Sequence, residues 1–170
     1  AVRRDRVDLL VRTLVLRLLA EVDQAFVGEP TSSTNPGGVV HVYRRSAAGW
    51  RAAPGSSLAM ADAPAGTFFG ASLAAEGNTL LVGMRNATDS LRGGVRVYTR
   101  GANGAWSDAG ALWATPPAQS SFGASVALAG DWAFVSAPTE QPAGAVYVFQ
   151  RSGGTWTARG TLPASDLAAG

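Results

Sequence analysis

The sequence has no cysteine and a single histidine, His41. Without cysteine, the chain can form neither a disulfide framework nor a thiolate metal site. A zinc site built from several histidines is also excluded, and a serine- or cysteine-based catalytic triad would have to use His41 as its base. The residues for the commonest catalytic and metal-binding sites are therefore mostly missing.

Long apolar runs and charged residues are scarce as well. No apolar run reaches the roughly 18 residues that a membrane-spanning helix needs, so we predict no transmembrane segment. Charged residues make up 15% of the chain, and all 14 basic residues are arginine. Five arginines lie in the first 17 residues, whereas residues 18–170 carry nine arginines against ten acidic residues. The net positive charge therefore belongs to the N-terminal segment, and we predict no nucleic-acid partner.

Glycine is abundant, with 21 residues, and a set of landmarks recurs in the same order at a spacing of about 50 residues. The tetrapeptide Phe-Gly-Ala-Ser occurs at 69–72 and again at 122–125, and a tryptophan follows each of three β-branched runs. The landmark residues are Phe69, Gly70, Phe122, Gly123, Trp50, Trp106 and Trp156. Such a period indicates a repeat architecture.

Each repeat unit is predicted to form four short antiparallel strands. Gly77-Asn78 and Gly130-Asp131 separate pairs of apolar runs, and such dipeptides favour tight hairpins because they adopt positive φ. A four-stranded unit of this length is typical of a propeller blade. We therefore predict an all-β fold, a partial β-propeller of about three blades at approximately 24–68, 69–121 and 122–170. Since three blades do not close a ring, we expect a fragment, or a segment that packs on further blades of the same protein.

Residues 1–23 are assigned to an N-terminal segment for which two interpretations compete. Apolar residues at helical spacing, with arginine and aspartate between them, favour an amphipathic helix over about residues 5–20. The repeat register instead aligns Leu14-Val15 with Phe69-Gly70, and Val22-Asp23 with Gly77-Asn78, as a degenerate start of the first repeat. We favour the helix because the helical periodicity extends over four turns.

The third copy resembles an FG-GAP repeat, the unit of the integrin α-subunit type of β-propeller. Phe122-Gly123 matches the FG, Ser136-Ala137-Pro138 matches the GAP, and residues 144–149 resemble the following strand. The second copy keeps its Phe-Gly but has Gly83-Met84-Arg85 in place of Gly-Ala-Pro, and the first copy has Gly28-Glu29-Pro30 without the FG. Kelch-type repeats are the alternative, but the Phe-Gly start and the Ala-Pro fit the FG-GAP repeat better.

Calcium is held by many members of that family in an aspartate-rich loop between the first two strands of a blade. Calcium needs six to eight oxygen ligands. The corresponding turns here are Glu76-Gly77-Asn78 and Gly130-Asp131, each with one carboxylate. We therefore expect no bound calcium, no other metal and no cofactor.

Histidine and tryptophan often have functional roles, but the repeat pattern argues against such roles for His41 and the recurring tryptophans. His41 corresponds to Arg96 and Tyr147, and a position occupied by three such different residues is more typical of a half-exposed strand than of a catalytic base. The recurring tryptophans could form a platform for sugar, but their regularity favours packing of each against its own blade or the next one. Trp113 and Trp132 break the pattern and are better candidates for a binding contact, although filling gaps between blades is favoured for them too.

The resemblance implies an extracellular or cell-surface module for adhesion or ligand binding, and no catalytic constellation is present. We expect a non-catalytic module that recognises protein or glycan through variable rim loops at 31–37, 85–92 and 139–142. The candidate binding residues in these loops are Arg85, Asp89, Arg92 and Glu140. Two alternatives remain: a propeller accessory to an enzyme whose catalytic domain lies outside this segment, or a structural spacer in a surface protein.

Overall fold

The computed structural model describes residues 17–21, 23–61, 63–85, 93–114, 121–140 and 143–163. Over these residues the fold is all-β, with twelve strands in three four-stranded antiparallel sheets. This confirms the predicted partial β-propeller of three blades. Within the described ranges there is no helix that could cross a membrane.

Each sheet is an up-and-down meander in which strands that follow one another in sequence are neighbours. Sheet 1 contains β1 (Arg17–Glu21), β2 (Gln24–Glu29), β3 (Val39–Ser46) and β4 (Gly49–Leu58). Sheet 2 contains β5 (Phe69–Glu76), β6 (Thr79–Met84), β7 (Gly94–Arg100) and β8 (Trp106–Leu112). Sheet 3 contains β9 (Val126–Ala129), β10 (Trp132–Ala137), β11 (Ala145–Ser152) and β12 (Thr155–Pro163).

The two ends of the sheets differ in the length of their connections. At one end, here called the turn end, short turns join β1 to β2, β3 to β4 and their counterparts in the other sheets. The predicted hairpins lie here, and Gly77 and Gly130 both adopt a φ of +59°. At the opposite end, the loop end, residues 30–38, 85–93 and 138–144 join the second strand of each sheet to the third. The tight turns of the three units therefore lie at one end and the variable loops at the other.

The predicted N-terminal helix is wrong for residues 17–20, because Arg17–Glu21 is the strand β1. Leu18 pairs with Val27 and Ala20 with Ala25, so β1 completes sheet 1 along β2. The apolar residues of this segment fit helical spacing, but hydrogen bonding to a neighbouring strand overrides that local preference. Residues 5–16 of the predicted helix lie outside the described residues.

Two apolar cores hold the three sheets together. The core between sheets 1 and 2 includes Phe26, Val40 and Val42 of sheet 1, which pack against residues of sheet 2 such as Leu80. The core between sheets 2 and 3 joins residues such as Leu81 to Phe122, Val135 and other residues of sheet 3. Successive residues of β6 thus face opposite neighbours, as the alternation of side chains along a strand requires. Sheet 2 is consequently covered on both faces.

The Phe-Gly turn at the start of each later sheet docks against the backbone of the preceding sheet. Gly70 lies against Gly28, and Gly123 lies against Gly83, so closely that a Cβ on Gly28 or Gly83 would collide with the carbonyl oxygen of the turn. The Phe69 amide also donates a hydrogen bond of 2.8 Å to the carbonyl oxygen of Gly37. The Gly position of the GAP motif therefore allows neighbouring sheets to approach backbone to backbone.

Candidate functional site

The four residues predicted for the rim loops do not form one described cluster. Arg85 is exposed at the end of β6, with its guanidinium 5.1 Å from the centroid of the Phe68 ring. Glu140 is half-buried in the loop between β10 and β11. Asp89 and Arg92 lie outside the described residues, so the binding role of this set stays a prediction.

Glu140 is occupied by a contact within its own sheet. Both of its carboxylate oxygens accept from the Tyr147 hydroxyl, at 2.7 and 2.9 Å. Tyr147 is only 3% exposed, and burial, followed by this hydrogen bond and the negative charge of Glu140, raises the pKa of the phenol to about 12. Because an ionised phenol would face the carboxylate, the pair is stable only with the proton on Tyr147. Glu140 therefore orients the loop end of β11.

His41 occupies the same repeat position as Arg96 and Tyr147, and all three side chains contact a carboxylate. His41 Nε2 lies 3.1 Å from Glu29 Oε2, Arg96 pairs with Asp108, and Tyr147 bonds to Glu140. His41 is half-buried on β3. The three carboxylates come from different elements: Glu29 from β2, Asp108 from β8 and Glu140 from the loop between β10 and β11. The interpretation of His41 as a half-exposed strand residue and not a catalytic base stays a prediction.

The recurring tryptophans differ in burial because each faces the sheet that precedes its own. Trp106 of sheet 2 packs on Phe26 of sheet 1, edge to face, with ring centroids 5.3 Å apart. Trp156 of sheet 3 packs against the core between sheets 2 and 3, and the Arg151 guanidinium lies 5.3 Å from its ring. Trp50 is 47% exposed, since the described residues place no sheet on that side of sheet 1. The packing expected for Trp50 therefore stays a prediction.

Trp113 and Trp132, the two tryptophans outside the repeat pattern, are 44% and 39% exposed. Trp113 follows β8 and lies against Gly94, where a Cβ would collide with its ring. Trp132 begins β10 at the turn end. Their exposure is compatible with the binding contacts considered from the sequence.

A cleft of about 260 Å³ lies between sheets 1 and 2 at the turn end. The residues that line it come from three turns or strand ends of the two sheets: Asp23, Gln24, Phe26, Asn78, Arg100 and Trp106. An ion pair between Arg100 Nη2 and Asp23 Oδ2, 3.1 Å apart, joins the sheets there. Asp23 is exposed, so this pair contributes little to stability and mainly neutralises the charge of both groups.

Gln24 is the most unusual residue of the cleft, because it is polar and only 1% exposed. Its Oε1 accepts a hydrogen bond of 3.0 Å from Trp106 Nε1, across the boundary between sheets. Its Nε2 is buried and has no hydrogen-bond partner among the described residues. An unsatisfied buried donor costs about 1–3 kcal/mol. The amide therefore offers hydrogen-bonding capacity that the described protein atoms leave unused.

No sequence pattern marks this cleft. Gln24 corresponds in register to Thr79 and Trp132, so no recurring residue type marks the position. Its partner Trp106 lies 82 residues away, and only the packing of two sheets brings them together. Among the described residues, no group of three His, Cys, Asp or Glu side chains could hold a metal ion. The expected absence of calcium stays a prediction.

Comparison with known families finds a match in the third copy. Residues 106–149 match the family model of the FG-GAP repeat, from β8 of sheet 2 to β11 of sheet 3. The matched range includes Phe122-Gly123 and Ser136-Ala137-Pro138, the motifs on which the resemblance depends. No curated protein matches the chain. The chain thus has three four-stranded sheets of the kind found in propeller blades, and its residues 106–149 match the FG-GAP repeat.

Proposed function

We propose that this segment is a non-catalytic binding module that recognises a protein or glycan outside the cell, through the loops at the loop end of its sheets. The FG-GAP match supports the extracellular or cell-surface location, since such repeats are typical of extracellular domains. The match also supports a repeat module with an integrin-like role in adhesion. The loops would determine which partner is recognised, and the binding experiment described below tests this.

One observation carries the proposal: three loops of different sequence leave the same end of three interlocked sheets. These loops, at 30–38, 85–93 and 138–144, each follow the second strand of a sheet. The sheets meet through backbone contacts at Gly28 and Gly83, which leave little freedom for one sheet to slide on the next. A rigid scaffold with variable loops at one end is the usual arrangement of a recognition surface.

The first of these loops is held in shape by its own polar groups. The hydroxyls of Ser32 and Thr34 lie 3.0 Å apart, and the Gly37 amide donates to Asn35 Oδ1 at 3.1 Å. Ser33 and Thr34 are exposed on the outside of this turn. Because the loop is ordered before any partner binds, recognition would cost less conformational entropy than the ordering of a free loop.

The proposed absence of catalysis is supported by the contacts of His41 and Glu140, the side chains best suited to acid–base chemistry. His41 bonds to Glu29, and Glu140 bonds to Tyr147. These contacts lie on strands of different sheets and do not converge on a common pocket. The arrangement favours binding over catalysis as the role of the described part of the chain.

We also propose that sheet 3 packs on a further blade. Phe134, Val146 and Val148 of sheet 3 correspond in register to Phe26, Val40 and Val42 of sheet 1, which are buried against sheet 2. The residues of sheet 3 are only partly buried, and Leu162 beside them is 58% exposed. Sheet 1 packs on sheet 2 through this apolar face, and sheet 2 packs on sheet 3 through the equivalent face. Sheet 3 has the same apolar face, which a further blade would cover.

Binding can be tested by immobilising the 170-residue chain and probing it with a glycan array and a panel of purified matrix proteins. If the loop end recognises one of these probes, replacing Arg85, Asp89 and Arg92 together with alanine should abolish capture. The matched control replaces Arg45 and Arg51, two exposed arginines at the turn end, with alanine and should leave capture unchanged. Equal loss in both variants would contradict recognition by the loop end. Capture of none of the probes would favour a structural spacer.

A further inference from the structure

We propose that the blade covering sheet 3 is sheet 1 of a second copy of this chain. Two chains then pair head to tail, with sheet 3 of each packed on sheet 1 of the other. The pairing rests on the proposed function, in which sheet 3 packs on a further blade, and identifies that blade. It is supported by the apolar faces of the two sheets, by their charges at the turn end, and by the position of the Phe-Gly turn.

Sheet 1 has an apolar face that the described residues leave partly exposed. In sheet 2 the equivalent valine and tyrosine are buried, because sheet 1 covers them. In sheet 1 the valine and the tyrosine are half-buried, and the tryptophan is exposed. The residues of sheet 1 and their counterparts by register in sheet 2 are Val27 and Val82, Tyr43 and Tyr98, and Trp50 and Trp106.

Sheet 3 has the opposite half of the same interface. At the boundary between sheets 1 and 2, Trp106 packs on Phe26 with ring centroids 5.3 Å apart. Phe134 is the counterpart of Phe26 in sheet 3, where it is only half-buried. Trp50 of a second copy, as the counterpart of Trp106, can pack on Phe134 in the same arrangement. The two partly exposed faces are thus the two halves of an interface that the chain already forms between its own sheets.

Arginine contacts between sheets at the turn end favour the same pairing. One arginine of each sheet donates its amide to the carbonyl oxygen of the residue at the preceding hairpin: Arg45 to Asp23, Arg100 to Asn78, and Arg151 to Asp131. The side chain of Arg100 reaches back to the preceding sheet and pairs with Asp23 at 3.1 Å. Arg151 likewise reaches back and donates to Thr79 of sheet 2. Arg45 is exposed, and the described residues place no preceding sheet beside it.

Asp131 of sheet 3 is the counterpart of Asp23 and is a suitable partner for Arg45. Its side chain is 63% exposed, and Arg151 donates to its Oδ1. A carboxylate can accept from a second arginine through its other oxygen. Arg45 of a second copy can therefore meet Asp131 as Arg100 meets Asp23. Opposite charges at matching positions fix the register of an interface, and here they direct sheet 3 of one copy to sheet 1 of the other.

The Phe-Gly turn explains why sheet 1 is the suitable neighbour. Gly28 and Gly83 leave room for the Phe-Gly turn of the next sheet, whereas sheet 3 has Ser136 at that position. A Cβ at either glycine would collide with the turn, so a Phe-Gly turn cannot dock on Ser136 in the same way. In the sequence of the first copy, Leu14-Val15 stands in place of Phe-Gly. A second copy therefore offers sheet 3 a neighbour without this motif.

The number of sheets indicates a closed pair. A head-to-tail contact either closes into a ring or continues into a filament. Two copies bring six sheets, which lies within the roughly four to eight blades that are typical of propellers. One copy has too few sheets for such a ring, and three copies have too many. We therefore expect a ring of two chains with two identical contacts.

Sedimentation equilibrium of the 170-residue chain from about 1 μM to about 1 mM tests the pairing, since this range covers dissociation constants between those values. We expect twice the mass of the chain at high concentration and no larger species. Arg45→Asp and Asp131→Arg should each weaken the pairing by about tenfold or more, because like charges then meet in both contacts. The matched control is Arg51→Asp, which should leave the pairing unchanged. Arg51 is exposed and follows Trp50 on β4, so its side chain lies on the other face of the sheet.

An equal mixture of Arg45→Asp and Asp131→Arg chains tests the geometry of the contact. In a mixed pair one contact keeps the native charges and the other has them exchanged, so both contacts are attractive. We expect the mixture to recover the pairing that each variant alone has lost. Both positions are exposed, and the circular dichroism spectrum of each variant should remain native.

Phe134→Ala tests the apolar part of the interface. It should weaken the pairing by about tenfold or more, as expected for an aromatic residue at the centre of a contact. At concentrations below the dissociation constant the chains are separate and Phe134 is covered only in part. The variant should therefore affect pairing more than it affects the folding of the dilute chain.

Four results would overturn the proposal. They are a monomer over the whole concentration range, open chains of more than two copies, unchanged pairing in both charge variants, and a mixture that does not recover the pairing. Pairing through the faces of the sheets leaves the loop end open. A chain that does not pair should therefore still be captured through its loops, so this proposal and recognition by the loop end fail separately.

Discussion

Ser72 Oγ of sheet 2 donates a hydrogen bond of 2.7 Å to the carbonyl oxygen of Gly123, which lies 51 residues later at the start of sheet 3. Ser72 is 6% exposed, so the bond is shielded from water. The same Gly123 carbonyl lies directly against Gly83, whose missing side chain makes room for it. The Ser72 hydroxyl on one strand thus binds the Phe-Gly turn of the following sheet, and Gly83 on the next strand leaves space for that turn.

Ser72→Ala should lower the free energy of unfolding by about 1–2 kcal/mol, because the buried Gly123 carbonyl loses its hydroxyl donor. Urea-induced unfolding of the 170-residue chain measures the change. The matched control is Ser125→Ala, at the equivalent and exposed position of sheet 3, which should cost less than about 0.5 kcal/mol. Equal losses in the two variants would show that the contact between sheets contributes nothing specific.

Gly83→Ala should destabilise the chain by about 1–3 kcal/mol or more, because the added methyl group meets the Gly123 carbonyl and Ser72 Oγ. The backbone of the Phe-Gly turn cannot move away without opening the core between sheets 2 and 3. Ser136 occupies the corresponding position in sheet 3 and already carries a side chain, so Ser136→Ala is the control. It removes only an exposed hydrogen bond from the Ser125 amide and should cost clearly less. A Gly83→Ala variant as stable as the wild type would refute the close packing of the turn.

Alkaline pH should destabilise the fold through Tyr147. Its folded pKa is raised to about 12 from the ordinary 10.0, so its contribution is complete below pH 10 and is lost as the pH rises towards 12. Between these values the unfolded chain releases the proton first, and the loss reaches about 1–3 kcal/mol. Burial raises the pKa of Tyr98 as well, in the same direction. Urea unfolding at several pH values should therefore give a flatter alkaline profile for Tyr147→Phe, and an unchanged profile would contradict the raised pKa of Tyr147.

The repeat landmarks predicted much of the fold because each has a local physical cause. Gly77 and Gly130 take the positive φ that a tight hairpin requires, and Phe69 and Phe122 are fully buried at the start of their sheets. Residues such as Val95 and Val97 alternate with period two, which places them on one face of β7. These features depend on neighbours in sequence, and they can be recognised without knowledge of the packed sheets.

The parts that the sequence could not predict depend on distant contacts. The segment Arg17–Glu21 fits helical spacing, and its pairing with β2 decides that it is a strand. Trp50 has the repeat position of Trp106 but is exposed, because burial depends on a preceding sheet. The hydrogen bond from Trp106 to Gln24 joins residues 82 apart at a boundary between two sheets. Each outcome depends on a partner from another strand or sheet.

The central claim is that the sheets stack as successive blades and that the same apolar face continues on sheet 3, where the described residues cover it only in part. Three residues at one repeat position test it: Phe26, Leu81 and Phe134. Truncation to alanine should cost about 3–5 kcal/mol at Phe26 and about 2–5 kcal/mol at Leu81, where a neighbouring sheet covers the side chain. At Phe134, which the described residues bury only in part, we predict a clearly smaller loss in the 170-residue chain. The decisive measurement is urea unfolding of these three variants, and a loss at Phe134→Ala as large as that at Phe26→Ala would contradict the claim.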